Sequence, residues 1–208
     1  DTIEVFNGAG DFCAVMRDWQ ALLLQGERIT AVGNSDSHSL GRPVGYPRNY
    51  LPTTASRAID ITRDEIVSAL KGAQASIGGG AYLQLSGGLT WGDTLNGTDI
   101  SVSLSAHTPS FSQLTKLRAL FNGQELWSQA LESEREALTD FEDTINLNVP
   151  HDGFLVFLAE GPRLEAVHPG QPTFALGNPL WIDADGDGRI TLPTPYVAPA
   201  ELTTLFCP

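Results

Sequence analysis

Residues 32–38 read Val-Gly-Asn-Ser-Asp-Ser-His and end a short apolar run in two side chains able to hold a cation, Asp36 and His38. On an extended backbone, side chains at i and i+2 point to the same side, so this carboxylate and this imidazole are expected to reach one ion together. Asp offers a hard anionic oxygen and His a borderline nitrogen, a mixture that suits zinc, manganese or iron. A satisfied loop Asp beside an exposed His is the plain alternative, because Asp-x-His also arises by chance.

The elements around the pair would place it where chemistry usually sits. Residues 2–6, Thr-Ile-Glu-Val-Phe, have the composition of a strand. Phe12, Val15, Met16, Trp19, Leu22 and Leu23 then recur at helical spacing until Gly26, and residues 29–32 form a second apolar strand. A strand, helix, strand unit makes two parallel strands joined by a crossover. In parallel α/β sheets and barrels the functional groups lie beyond the carboxyl ends of the strands, and Asp36 and His38 fall at such an end.

The order Glu4-Val5-Phe6-Asn7, a helix, Gly33-Asn34-Ser35-Asp36-Ser37-His38 and then Gly45-Tyr46-Pro47-Arg48-Asn49-Tyr50 resembles the closing portion of a PHP (polymerase and histidinol phosphatase) metal-dependent phosphoesterase. The similarity continues through residues 66–72, where a helix ending in Ala69-Leu70-Lys71-Gly72 resembles the last barrel helix of that family. The resemblance implies a fold of α/β plus all-β class, in which residues 1–80 supply the last strands and helices of a distorted α/β barrel. It also implies a site of two or three metal ions acting on a small phosphorylated substrate. Asp36 and His38 are then two metal ligands with a catalytic role, and Arg48 matches a basic, substrate-binding position nearby. The family's His-x-His pair and its further His and Glu ligands have no counterpart in this sequence. The expectation is therefore that an N-terminal segment or a second chain contributes them and completes the barrel, since a barrel cannot close on two or three strands.

Downstream the pattern changes. Thr62 and Glu65 have capping-box spacing at the start of a helix that stops at Gly72, and Gly78, Gly79 and Gly80 suggest a flexible joint rather than a phosphate loop, since no Lys-Ser or Lys-Thr follows. Ile100, Val102, Leu104 and Ala106 alternate with polar residues as in a half-buried antiparallel strand. Asn122-Gly123 signals a tight hairpin with Leu126 and Trp127 on the return strand, Ile145, Leu147 and Val149 alternate again, and residues 154–158 form a continuous apolar run. These spacings predict an antiparallel β-sandwich of roughly seven strands within residues 81–208. The Glu-rich stretch 128–143 has poor apolar periodicity and is expected to be a solvated connection. A β-sandwich also follows the barrel in the PHP relatives that this chain resembles, and Gly177-Asn178-Pro179-Leu180-Trp181-Ile182-Asp183 looks like the end of that extension.

A second cation site is suggested by Asp183, Asp185 and Asp187 at positions 1, 3 and 5 of a loop with Gly186 at position 4, Gly188 at position 6 and the backbone of Arg189 at position 7. This is the first half of an EF-hand-type calcium loop. Position 12 is Thr194 instead of a bidentate Glu, and Asp-Gly repeats are also ordinary turn formers, so a calcium loop and an unoccupied acidic turn both stand. His107, His151 and His168 lack neighbouring ligands in sequence and suit surface or capping roles. Trp91, Trp127 and Trp181, beside strands, suit core packing better than a sugar-stacking platform.

The net charge of −13 argues against nonspecific nucleic-acid binding, which needs clustered Lys and Arg. Residues 1–208 contain no stretch of about 20 apolar residues such as a membrane helix needs. Cys13 and Cys207 could pair, but a buried Cys13 and a free or externally paired Cys207 is the favoured expectation. An extracytoplasmic or secreted setting fits the whole. Two functions from different classes follow: part of a metal-dependent hydrolase of the phosphoesterase type, or a noncatalytic binding or assembly module whose β-sandwich carries the function.

Overall fold

Phe154, Leu155, Val156, Phe157 and Leu158 are all fully buried, although a strand turns successive side chains to opposite faces. Both faces of their strand, β11 (Gly153–Arg163), must therefore be covered. Leu155 and Phe157 enter one hydrophobic core, and Phe154, Val156 and Leu158 enter another. Each such side chain contributes about 1.5–3 kcal/mol on burial, so the run favours a central position for β11.

The computed structural model describes residues 1–8, 12–40, 44–132, 138–165, 167–193 and 202–203. These residues form mostly antiparallel β structure with two short helices. Along one edge β11 pairs with β8 (Lys116–Phe121), and along the other it pairs first with β13 (Leu180–Asp183) and then with β12 (Pro172–Gly177). The sheet extends from β12 to β4 (Ser76–Gly79) and β3 (Arg48–Tyr50), from β13 to β6 (Thr94–Asn96), and from β8 to β9 (Gln124–Ala130). Against one face lies a second antiparallel sheet of β5 (Tyr82–Leu85), β7 (Asp99–His107) and β10 (Thr139–Asn148). The alternating Ile100, Val102, Leu104 and Ala106 of β7 point into the core between the two sheets, and together these sheets form the β-sandwich.

The other face of the large sheet carries the expected strand, helix, strand unit. β1 (Thr2–Asn7) and β2 (Thr30–Asn34) are parallel, and α1 (Phe12–Leu24) buries Met16, Trp19 and Leu23 in the same core as Phe154, Phe174 and Trp181. β1 and β2 make a two-stranded sheet of their own, so a barrel wall is not seen among the described residues. The second edge of β2 is closed by side chains. Asn178 accepts from the Ala31 N–H (2.8 Å) and donates to the carbonyls of Ala31 and Ala75 (2.9 Å each), while Asn49 accepts from the Gly33 N–H (2.8 Å) and donates to the Gly33 carbonyl (2.9 Å). Alternate residues of a strand present their peptide groups to opposite edges, so residues 31 and 33 face away from β1 and would otherwise leave polar groups unpaired.

Several expectations are met and others corrected. Asn122 and Gly123 have φ of 49° and 82° and join β8 to β9 by a two-residue turn. Helix α2 (Arg63–Lys71) begins with the Thr62–Glu65 capping box. Its Ile66 and Val67 are exposed, as is nearby Ile59, so α2 keeps an uncovered apolar face. Gly78 and Gly79 are no flexible joint but the buried end of β4, where added Cβ atoms would meet the rings of Tyr50, Tyr46 and Phe174 at 2.5–2.8 Å. Residue 80 is where the chain leaves the large sheet for the small one. The acidic stretch 128–143 is shorter as a connection than expected, since β9 runs to Ala130 and β10 starts at Thr139. Glu142 and Thr144 occupy the solvent face of β10 while Phe141 and Ile145 are buried, an arrangement that acidic composition conceals. Residues 133–137 lie outside the described residues. Cys13 is half-buried and disulfide-bonded, correcting the expectation of an unpaired thiol. Spatial approach of two distant cysteines depends on tertiary packing and is invisible in their spacing. Cys207 lies outside the described residues.

Candidate functional site

β2 delivers the Asp-x-His pair to its own carboxyl end. Gly33 and Gly8 permit the close backbone approach there: a Cβ on Gly33 would lie 2.4 Å from the Ile77 side chain, and one on Gly8 would lie 2.4 Å from the Ser35 carbonyl. Past Asn34 the strand ends, and Asp36 takes a left-handed conformation with φ of 46°. Asp tolerates that region better than most residues because its short side chain can bond locally. Asp36 Oδ1 and His38 Nε2 are 2.5 Å apart. They converge through this bend rather than through the strand alternation expected from their spacing.

Both groups are open to solvent, His38 more than Asp36, at 77% and 37% side-chain exposure. Two donor atoms on one zinc-like cation, each about 2.0–2.2 Å from it, lie roughly 3 Å apart, so the pair needs only a small opening to share an ion. Among the described residues no third His, Cys, Asp or Glu joins them in a cluster. Arg48, at the start of β3, is exposed and donates from Nε to the Gly45 carbonyl at 2.6 Å. It lies one residue before Asn49, whose side chain grips β2 at Gly33.

The Asp-rich loop forms the second constellation. Asp183, Asp185 and Asp152 each offer a carboxylate oxygen, and these atoms lie within 4.8 Å of one another. Asp183 ends β13 and is 3% exposed, and its carboxylate accepts from the N–H groups of Gly186, Asp187 and Gly188. Asp152 is 6% exposed and ties both ends of the loop, accepting from Ala184 N–H (2.7 Å) and Thr191 N–H (2.8 Å). A carboxylate has about four lone-pair positions, so both retain acceptor capacity. The triad could hold a metal ion. Asp187 is turned elsewhere, accepting from the Arg189 N–H at 2.8 Å, and Thr194 lies outside the described residues.

Sequence spacing missed Asp152. The antiparallel register that places Gly153 opposite Ile182 puts Asp152 beside Asp183, and only knowledge of that pairing could have found it. Trp91 and Trp181 are buried in the two cores as expected of packing residues. His107 bonds the hydroxyls of Thr139 and Ser105 through its two ring nitrogens. No helix among the described residues is long and apolar enough to cross a membrane.

Comparison of the chain with protein-family models, curated proteins and solved structures finds no match.

Proposed function

We propose that this chain is part of a metal-dependent hydrolase of the phosphoesterase type, in which Asp36 and His38 supply two of the metal ligands. The observation that carries this reading is the convergence of Asp36 Oδ1 and His38 Nε2, 2.5 Å apart and solvent-accessible at the carboxyl end of a parallel strand. Zinc, manganese and iron fit the mixed oxygen and nitrogen donors. A bound ion of this kind lowers the pKa of a coordinated water and offsets charge developing on a phosphoryl oxygen. Asp36 anchors the cation by charge, its backbone bend aiming the carboxylate at the imidazole, and His38 adds a neutral nitrogen.

Two ligands leave a catalytic site short of donors, and the remaining ones are assigned to another polypeptide segment, within the same gene product or on a second chain. The uncovered Ile66 and Val67 face of α2 and the two-stranded β1–β2 sheet support a completing partner on this side of the molecule. The disulfide at Cys13 supports an extracytoplasmic setting. In the assembly that supplies the remaining ligands, Asp36→Ala and His38→Ala should each lower the metal content and cut hydrolysis of an aryl phosphate ester by about 100-fold or more. Metal analysis and a chromogenic phosphatase assay decide it, and full metal content with full activity in both variants overturns the reading.

A second reading concerns the sandwich alone. The convergence of Asp152, Asp183 and Asp185 supports calcium as a structural ion that fastens the loop after β13.

A further inference from the structure

At the end of the sandwich where β3, β5 and β7 meet, a cavity of about 300 Å³ opens beside Arg48. Three rings follow one another along its wall. Tyr50 and Tyr82 have centroids 4.6 Å apart with their planes tilted by 46°, and Tyr82 lies opposite His107 across the β5–β7 ladder with the two rings stacked at 6.1 Å and 24°. The strip exists because Gly78 bears no side chain, a Cβ there falling 2.7 Å from the Tyr50 ring. Phe111 flanks the cavity with half its surface exposed.

The charge of this cavity opposes that of the protein. The chain carries 25 acidic against 12 basic residues, yet among the described residues no Asp or Glu lines the cavity. Arg48 forms no ion pair among the described residues, and its Nε is fixed on the Gly45 carbonyl. Across the cavity, His168 has a pKa held below the ordinary imidazole value by burial and then by the charge of Arg48. Among the described residues that line the cavity, no carboxylate offsets the charge of Arg48.

We propose that this cavity binds a small oxyanion carried on a flat ring, an aryl phosphate or aryl carboxylate, with Arg48 gripping the oxyanion and the Tyr50–Tyr82–His107 strip and Phe111 taking the ring. A planar guanidinium matches phosphate and carboxylate oxygens in pairs, and ring stacking adds attraction beyond the area buried. The volume lies at the small end of ligand cavities and suits a single ring. Neither Asp36 nor His38 lines the cavity, so the site stands apart from the metal ligands proposed above.

Calorimetric titration of the chain in excess chelator separates this binding from any metal-dependent one. Phenyl phosphate or benzoate is expected to bind, with phenol and inorganic phosphate at least about tenfold weaker. Arg48→Gln should weaken binding of the acid by about tenfold or more, and Phe111→Ala by several-fold, both with a melting midpoint like that of the parent protein. Equal affinity for phenol and phenyl phosphate overturns the proposal. So does an Arg48→Gln protein that binds like the parent, or failure of both acids to bind.

Discussion

Asp152 and Asp185 contribute to the same acidic triad in different ways, and that difference can be measured. Asp152 holds Ala184 and Thr191 N–H groups and is buried, whereas Asp185 is exposed and accepts only from the Asp187 N–H. Removing Asp152 strands two backbone donors, a loss of about 2–4 kcal/mol whether or not an ion is present. Removing Asp185 deletes a cation ligand and leaves the loop fastened. Millimolar calcium should therefore raise the melting midpoint of the parent protein by several degrees, growing with the logarithm of the calcium excess over its dissociation constant. Asp185→Ala should keep the calcium-free midpoint and lose the rise, while Asp152→Ala should already melt lower in chelator. Calorimetry that finds the parent midpoint unmoved by millimolar calcium removes calcium from this loop. At this scale the sequence shows Asp183 and Asp185, because their spacing is local. It hides Asp152, which arrives through strand pairing. Asp36 and His38 are legible as a pair, but the left-handed residue that joins them is not.

Elements were legible wherever a single strand or turn carried its own signal. The alternation in β7, the Asn122-Gly123 hairpin and the Thr62–Glu65 capping box are local patterns, and each appears in the structure. β10 was partly hidden because its first half carries the acidic Asp140, Glu142 and Asp143, and β3 because three residues leave no period to detect. The use of asparagines as surrogate strands was also hidden. Asn178 is fully buried and meets three backbone groups of Ala31 and Ala75, linking β2 to the break between β12 and β13. Asn178→Ala leaves the Ala31 N–H and carbonyl buried and unpaired, at about 1–3 kcal/mol for each, while the Ala75 carbonyl keeps its bond from the N–H of residue 178. A loss of roughly 2 kcal/mol or more in denaturant unfolding is expected, with Asn178→Asp also destabilising because it cannot donate. Asn49, half-buried and nearer solvent, should cost less on the same substitution. A near-neutral Asn178→Ala would mean that β2 does not depend on this bridge.

The whole molecule turns on β11, whose neighbours Phe154 and Leu155 face different cores. The continuous apolar run announced a strand covered on both faces, but not that one cover is the small sheet and the other the α1–β1–β2 unit. That assignment depends on β4 pairing with β12 and β3 with β4, long-range contacts without a local signature. Because the large sheet is the shared wall of both cores, loss of either cover exposes β11, and the two layers should unfold together. Trp19 reports on the helix-side core and Trp91 on the sandwich core. Leu155→Ala should cost about 2–5 kcal/mol and Phe154→Ala about 3–5 kcal/mol, and each should shift one common transition. The check is coincidence of fluorescence and far-ultraviolet dichroism curves in denaturant, repeated with Trp19→Phe and Trp181→Phe combined so that the remaining fluorescence reads the sandwich core alone. Two resolved transitions, with Leu155→Ala moving one and Phe154→Ala the other, would show that the covers melt independently and that β11 does not couple them.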